Sequence, residues 1–491
     1  MKLDPQFFKE FSSGQINNLN ESIAPKNSVA LGMNLEFDYE IGAAVSRLGT
    51  ALLRQINSGK TVLGLHYDPV NDKFLVAMNA SNDATSVIYD AVSGSSSLAG
   101  DTASLKCRFL TYLGSTLRLN GTDAPKAWNG SSWITTGGDF DLANMPTGYK
   151  VAIEYLDRVY LLVNATAANA DEIVYSGVQT GGAVSWTVGN GSVTLEPEEG
   201  AGGLTGAGKV PGYILFFKRR SMKRWNFVTA NPESMVGIGT CSHESIISVA
   251  GICAFFSDSD PDAIGFYITD GSYPTPISHL KAKNIRKWID AIPTSYYTNI
   301  SGWGTETHLY WSIGDVTVDG VAYTNVQVKW SIKTGEWAIR SFPSEARVFA
   351  RYIASSVPYL MCGNDNGEII YLDKPGVYDD SITGASNTAI PWEILLQEEK
   401  FNYNQIKTIS ERMILISRNI QVGQAYIVAG NKDGKKEAIS APIKGDIAEV
   451  ALPESVEGNY FQFGARGMQK GHRLTIKEFE IPNIDVGENY V

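Results

Sequence analysis

From about residue 61 to residue 390 the chain repeats one pattern: a short apolar run, a turn rich in glycine, asparagine or aspartate, and another run. The runs include "TVLGLHYD", "KFLVAMNA", "RFLTYL", "RVYLLVN", "YILFFK", "THLYWSI", "VQVKWSI" and "GEIIYLD"; the turns include "LNGTD", "ITDG", "KTG" and "GNDNG". Runs this short, rich in β-branched and aromatic residues and punctuated this often, form strands joined by tight hairpins. A long series of hairpins without intervening helices leaves few architectures open. The pattern fits four-stranded units of about 40–50 residues, each unable to bury its faces alone and therefore stacked around an axis. The reading is all-β: an irregular β-propeller of about six or seven blades over 61–390. It carries no WD or kelch signature. One helix is expected within it, over 278–292, where Leu280, Ile285, Trp288 and Ile289 share a face.

The flanks differ from this middle. Residues 1–60 read as an N-terminal arm with a platform strand in "MNLEFDYEIG", where Leu35, Phe37 and Tyr39 alternate with polar residues. Residues 391–491 have glycine-poor strands of about 6–9 residues, such as "PWEILLQ", "QAYIVAG" and "LTIKEFEIPNI", and read as a C-terminal β-sandwich platform domain.

Two segments place tryptophans either side of a short polar turn: "KAWNGSSWI" at 126–134 and "VKWSIKTGEWAI" at 328–339. Indoles at a hairpin mouth can cover the seam between neighbouring sheets, with cross-strand contacts worth about 0.2–1 kcal/mol per pair. The second segment loosely matches the structural S-x-D-x-G-x-x-W hairpin of sialidase-type propellers, with Lys333 where aspartate belongs and one residue fewer. That likeness supports hairpins, not hydrolysis.

Reactive constellations are weak. "GLTGAGKV", 203–210, matches a phosphate-cradling loop at Gly203, Gly208 and Lys209. Val210 replaces the magnesium-holding hydroxyl, however, and Pro211 and Gly212 stand where a helix should start. It reads as a glycine-rich turn between blades. "DSDPD", 258–262, lacks the glycine and glutamate of a calcium loop and reads as a solvated turn. The five histidines, His66, His243, His279, His308 and His472, show no metal-ligand spacing, and there is no nucleophile elbow. Cys107, Cys241, Cys253 and Cys362 have no CxxC pattern and read as buried free thiols in a reducing compartment. The expectation is therefore no catalytic residues, no cofactor and no metal.

The formal net charge of −11 argues against a sequence-independent grip on nucleic-acid phosphates. Within this acidic chain "FFKRRSMKRW" concentrates Lys218, Arg219, Arg220, Lys223 and Arg224, which are read as a contact to a neighbouring subunit. A secretory h-region is not evident in "MKLDPQFFKEF", and no apolar stretch reaches the ~20 residues of a membrane span. The chain is expected to be made and folded in a cytoplasm.

Three segments together resemble the tail-nozzle proteins of short-tailed bacteriophages, the packaged-DNA stabilisation or tail tubular protein B–like family. The first is "FSSGQINNLNESIAPKNSVALGMNLEFDYEIGAAVSRLGT", with Gly14, Asn17, Pro25, Asn34, Phe37, Arg47 and Gly49 at the matching places. The others are "LEPEEGAGGLTGAGKVPGYILFFKRRSMKRW" and the junction "IPWEILLQEEKF". The resemblance implies a structural virion protein in a homo-oligomeric, six-fold ring below a tail adaptor ring, alongside tail fibres or spike and needle proteins. Genome DNA would pass through the ring's channel without tight binding, and assembly would take place in the host bacterial cytoplasm. The basic run and Asn17, Pro25, Asn34 and Arg47 become candidate inter-subunit residues. The alternatives are a glycan-binding or glycoside-hydrolysing propeller, using Trp128, Trp133, Trp303 or Trp311 as stacking platforms, and a tail baseplate component.

Overall fold

A computed structural model describes residues 2–3, 6–11, 15–16, 28–38, 42–196, 202–226, 231–279, 284–381, 387–401, 407–409, 412–431, 434–439, 442–451, 455–482 and 484–486. The middle of the chain is a seven-bladed β-propeller. Its blades are four-stranded antiparallel sheets at 62–102, 108–134, 149–194, 206–236, 247–276, 301–341 and 348–372, the last completed by an outer strand from the N-terminal side. The innermost strands are Val62–Asp68, Arg108–Tyr112, Tyr149–Tyr155, Gly206–Val210, Ile247–Val249, Ser301–Gly304 and Val348–Ala354. Each packs against the next, and the seventh packs back on the first, so the ring closes.

Closure sets the first departure from the sequence reading. Ala51–Gln55, assigned above to the arm, pairs antiparallel with Glu368–Leu372 as the outer strand of blade 7. The final blade is thus sewn from both ends of the propeller segment. The rest of the arm does not stand alone either. Gln6–Lys9, Val29–Met33, Leu35–Asp38 and Ala43–Ser46 join one 14-stranded sheet with the C-terminal strands. Phe8, Phe11, Val29 and Leu35 share a core there with Trp392, Ile427, Phe463 and Phe479. A second, four-stranded sheet, from Lys2–Leu3, Lys407–Ile409, Val456–Gly458 and Ile484–Val486, adds Ile409, Val456 and Ile484 to that core. The platform is therefore a two-layered body built from both flanks of the propeller.

The large sheet also welds platform to propeller. Trp337–Ser341, the outer strand of blade 6, meets Val29–Met33 in parallel at Met33–Ile339, and Val29–Met33 pairs antiparallel with Ile390–Leu396. Further along, Arg412–Asn431 is one bent strand of 20 residues, longer than the strands expected, with register shifts at 416–423 that turn it from one partner set to another. The expected helix over 278–292 is confined to one turn, Arg286–Asp290. Ile285, at φ −124°, is already outside helical geometry, while Trp288 and Ile289 are buried against blade 6. Residues 280–283 of that reading lie outside the described residues.

Both tryptophan hairpins are cross-strand pairs. Trp128 faces Trp133, and Trp330 faces Trp337, with ring centroids 5.9 and 6.3 Å apart. Trp133 also donates its indole N–H to Ser97 Oγ of blade 1 at 2.7 Å, and Trp337 packs within 5.9 Å of Phe266 in blade 5. These rings fill seams between sheets. Glycine serves the same seams by absence. A Cβ on Gly64 would lie 2.1 Å from Cys107 O, just before the inner strand of blade 2, and one on Gly208 would lie 2.5 Å from Cys253 Sγ on the second strand of blade 5. These inner strands approach the next blade this closely because a side chain is missing.

Gly64→Ala is therefore expected to cost about 1–3 kcal/mol of stability in guanidinium unfolding. Gly237→Ala, where the nearest other atom is 3.8 Å away, should stay within about 0.5 kcal/mol. Equal effects at both positions would contradict close packing at the axis.

Candidate functional site

A propeller gathers side chains from different blades at its axis, and two contiguous cavities lie there. One, of about 340 Å³, is lined by Thr61, Asn79, Ser104, Lys106, Asn299, Arg347 and Asp365. The other, of about 250 Å³, is lined by His66, Arg108, Phe109, His243, Glu244 and Trp303; Leu63 and Val348 border both. Arg108 begins the inner strand of blade 2, and Glu244 stands just before that of blade 5. Their ion pair crosses the axis, and Lys106 Nζ joins it at 3.4 Å. Burial alone would raise the Glu244 carboxyl, but Arg108 and Lys106 outweigh it and hold the group well below the carboxylate range.

The two histidines beside this bridge are neutral. Burial lowers His66 to about 4; its Nε2 lies 2.6 Å from Thr111 Oγ1 and its ring stacks on Phe109. Burial, with Arg108 adding to it, lowers His243 to about 4. A general acid must hold its proton near the working pH. Glu244 has already lost its proton, and Asp365 accepts from Arg347 at 2.8 Å. Chemically this axis is a charged plug.

The basic run does not form a patch. Lys218 is buried and reaches Asp171 of blade 3 at 2.8 Å. Lys223 is buried near Glu196, and Arg224 pairs with Glu233 at 2.9 Å while covering the Tyr213 ring. Arg219 is exposed but reaches Asp258 of blade 5 at 2.5 Å, and Arg220 is exposed. The inter-subunit reading is thus corrected for Lys218 and Lys223: both are buried against blade 3, where they tie blade 4 to its own chain. "DSDPD" follows the same logic, since Asp258 takes Arg219 and Asp260 caps the short turn Pro261–Ala263. "GLTGAGKV" ends as an inner strand, not a turn, with Lys209 3.2 Å from Glu154 of blade 3. Trp311 is buried and donates to Ser245 O at 3.0 Å, so it offers no stacking face. Among the described residues no group of histidine, cysteine, aspartate and glutamate could hold a metal ion, and the four cysteines are free thiols. No described helix is long and apolar enough to cross a membrane.

Asn34 and Arg47, read above as inter-subunit residues, are both fully buried within the chain; Asn17 and Pro25 lie outside the described residues. Arg47 uses every donor it has. Nε gives to Asn34 Oδ1, Nη1 to Leu48 O and Asp380 Oδ1, and Nη2 to Ser341 O and Asp380 Oδ2, at 2.5–3.0 Å. Its plane lies 4.3 Å from the Phe342 ring. Asn34, held at φ +56°, gives Nδ2 to Ser341 Oγ and Pro391 O, while its Oδ1 also accepts from Ser341 N. Asparagine tolerates that left-handed backbone better than most residues. Nearby, burial raises the Glu36 carboxyl, but Lys329 of blade 6 and Arg340 bring it to about 2. These groups lie where the chain passes from platform to propeller and back. Asp380 and Glu244, their essential partners, have no local sequence signal: each is defined by a group more than a hundred positions away.

No protein-family model matches the chain, and no curated protein does. Among solved structures it is similar to U3-55K, at 7% sequence identity and a TM-score of 0.40, over 66% of this chain and 98% of that one. So distant a likeness carries no argument about activity.

Two outcomes follow from these sites. Replacing Arg47 with methionine strands Asp380 in the interior and should cost about 3–5 kcal/mol in chemical unfolding; a loss under about 1 kcal/mol would show the joint is dispensable. His66 and His243 titrate below the ordinary 6.5 in the folded chain, so the unfolded chain takes up their protons first. Their contribution is intact above about pH 6.5 and is lost as the pH falls toward about 4, by up to about 1 kcal/mol per pH unit per histidine. Unfolding midpoints measured across that window should flatten when either ring is replaced by asparagine.

Proposed function

We propose that this chain is a structural subunit of a bacteriophage tail: one copy in an oligomeric nozzle or hub ring that lines and closes the DNA ejection channel. What carries the reading is the joint. The opening segment that resembles the nozzle family holds Asn34 and Arg47, and those residues lock platform, arm and propeller into one body. Rigid coupling of that kind suits a part that transmits load and keeps its shape within an assembly. The titratable groups support the same reading. Arg108, Glu244, Arg47, Asp380, Lys218 and Asp171 are spent on ties between elements rather than on a reacting centre.

On this reading the chain is not an enzyme, belongs to the virion tail, and assembles in the host bacterial cytoplasm. The ring is six-fold, meets an adaptor ring above it and fibres or a spike below, and multiplies the chain's acidity sixfold around the lumen. Like charge keeps phosphates from adhering during passage.

Light scattering on the purified chain, followed by electron microscopy of the particle, tests this. The expected result is a closed ring placed in the tail, with no submicromolar, salt-sensitive affinity for duplex DNA. A stable monomer that binds saccharides would instead support the glycan-binding alternative, with Trp128, Trp133 or Trp303 as the platform.

A further inference from the structure

The hairpins joining the innermost strand of each blade to the second strand share one face of the propeller, because the inner strands run side by side about the axis. Contacts between their tips follow that arrangement. Asn71 of blade 1 gives Nδ2 to Gly114 O of blade 2 at 3.1 Å, and Tyr67 of blade 1 lies edge-on to Tyr352 of blade 7, 5.6 Å between centroids. Pro211 of blade 4 stands beside Gly251 of blade 5.

Several tips on this face carry apolar residues where hairpin tips are ordinarily polar. Val70, Leu156 and Val357 are 56%, 58% and 44% exposed. Tyr67, Tyr112, Tyr155 and Tyr213 stand half-buried around the same tips, and the buried Tyr112 hydroxyl has no hydrogen-bond partner among the described residues. Two of the tips are also strained. Leu113 and Leu156 hold φ of +57° and +47°, a region that suits glycine or asparagine and is costly for a leucine. Neither the exposure nor the strain returns anything to the isolated fold, and such costs persist where a function requires them.

The charged residues of the tips themselves have one sign: Asp72, Asp157 and Glu306 are exposed. Of the cations set back from them, Lys73 is engaged with Asp90 at 3.1 Å, Lys209 with Glu154 at 3.2 Å, and Arg158 with the carbonyls of Ser176 and Gly189, while Arg351 and Lys333 are exposed.

We propose that this propeller face docks a protein partner whose contact surface is apolar at its centre and bordered by lysine or arginine. Tyrosine and aliphatic groups supply the anchoring area, as they do at interface centres. The carboxylates select a basic rim and steer its approach. The proposal stands independently of the tail reading.

The test uses the full chain and a variant with Leu113→Asn, Leu156→Asn and Val70→Thr. A random peptide library is selected on each, and single enriched peptides are titrated by fluorescence anisotropy. Peptides enriched on the parent chain should combine aromatic or aliphatic residues with lysine or arginine. They should lose at least about tenfold in affinity for the variant, and the variant should unfold at no lower temperature than the parent. Asp72→Asn with Asp157→Asn, which keeps residue types suited to the left-handed backbone at both positions (φ +48° and +58°), should leave folding intact and reduce the enrichment of lysine and arginine in the selected peptides. Peptides that bind parent and variant alike, or an unchanged preference after charge removal, would overturn the proposal. A lower unfolding temperature for the variant would also overturn it, by making the leucines part of the fold's own packing. So would variant-sensitive self-association or binding of neutral saccharides, which would give the face a different occupant.

Discussion

The structure depends on one buried ion pair, Arg47–Asp380. The chain crosses between platform and propeller only at 47–50 and again after blade 7, and this pair ties the two crossings together. Thr50 reinforces it, with its hydroxyl 3.1 Å from Asp380 Oδ1. Immediately beyond Thr50 the chain becomes the outer strand of the last blade. Closure of the propeller and attachment of the platform are therefore one event, fixed by the same side chains. A buried ion pair gives little net stability against a well-packed apolar substitute, yet it is costly to break because either partner alone is a stranded charge. Such a pair is better suited to specifying an arrangement than to strengthening it, and here the arrangement specified is which strand completes the ring.

The same use of charge recurs at the seams. Arg118 of blade 2 is buried on Asp101 of blade 1, Lys218 of blade 4 on Asp171 of blade 3, and Arg108 of blade 2 reaches Glu244 across the axis. Neighbouring blades share apolar walls that would slide past one another with little penalty, since hydrophobic contact has no direction. Directed charge-assisted bonds remove that freedom. Among the described residues Lys218 and Lys223 of the basic run are committed in the same way, which is why that run does not reach the surface as a patch.

Much of the fold was legible because strand and turn signals are local. "RVYLLVN" and "YILFFK" are strands for reasons contained within their own residues, and the paired tryptophans mark hairpins by their spacing. What could not be read lies at long range. Nothing within "FDYEIGAAVSRLGTALLRQ" says that its early strands belong to the platform while Ala51–Gln55 belongs to blade 7. Lys218 and Lys223 look like solvated charges until the carboxylates of the neighbouring blade draw them inward. The helix over 278–292 reads too long for a related reason: among its described residues Arg286–Asp290 is helical, where Trp288 and Ile289 lock into blade 6. Asn34 and Arg47 read as inter-subunit residues, but their partners lie within the chain. Total burial makes them a joint within the chain instead of a contact beyond it.

Rigidity at the joint bears on what the propeller faces can hold. A hairpin with leucine in a left-handed position would relax by fraying if its strands were free to separate. Here the inner strands of blades 1 and 4 lie so close to the next blade that Gly64 and Gly208 leave no room for a methyl group, and the ring of inner strands is closed through blade 7. The tips at Leu113 and Leu156 consequently keep their shape, because relaxing one would open a seam shared with its neighbours. The plug of Arg108, Lys106 and Glu244 occupies the axis near the starts of the inner strands, whereas the tyrosines and exposed leucine cluster where those strands end. One end of the axis is thus satisfied by its own charges, and the other presents apolar groups held in strained turns. That asymmetry follows from closure: only a ring that cannot open can afford an end that gains nothing from its own chain.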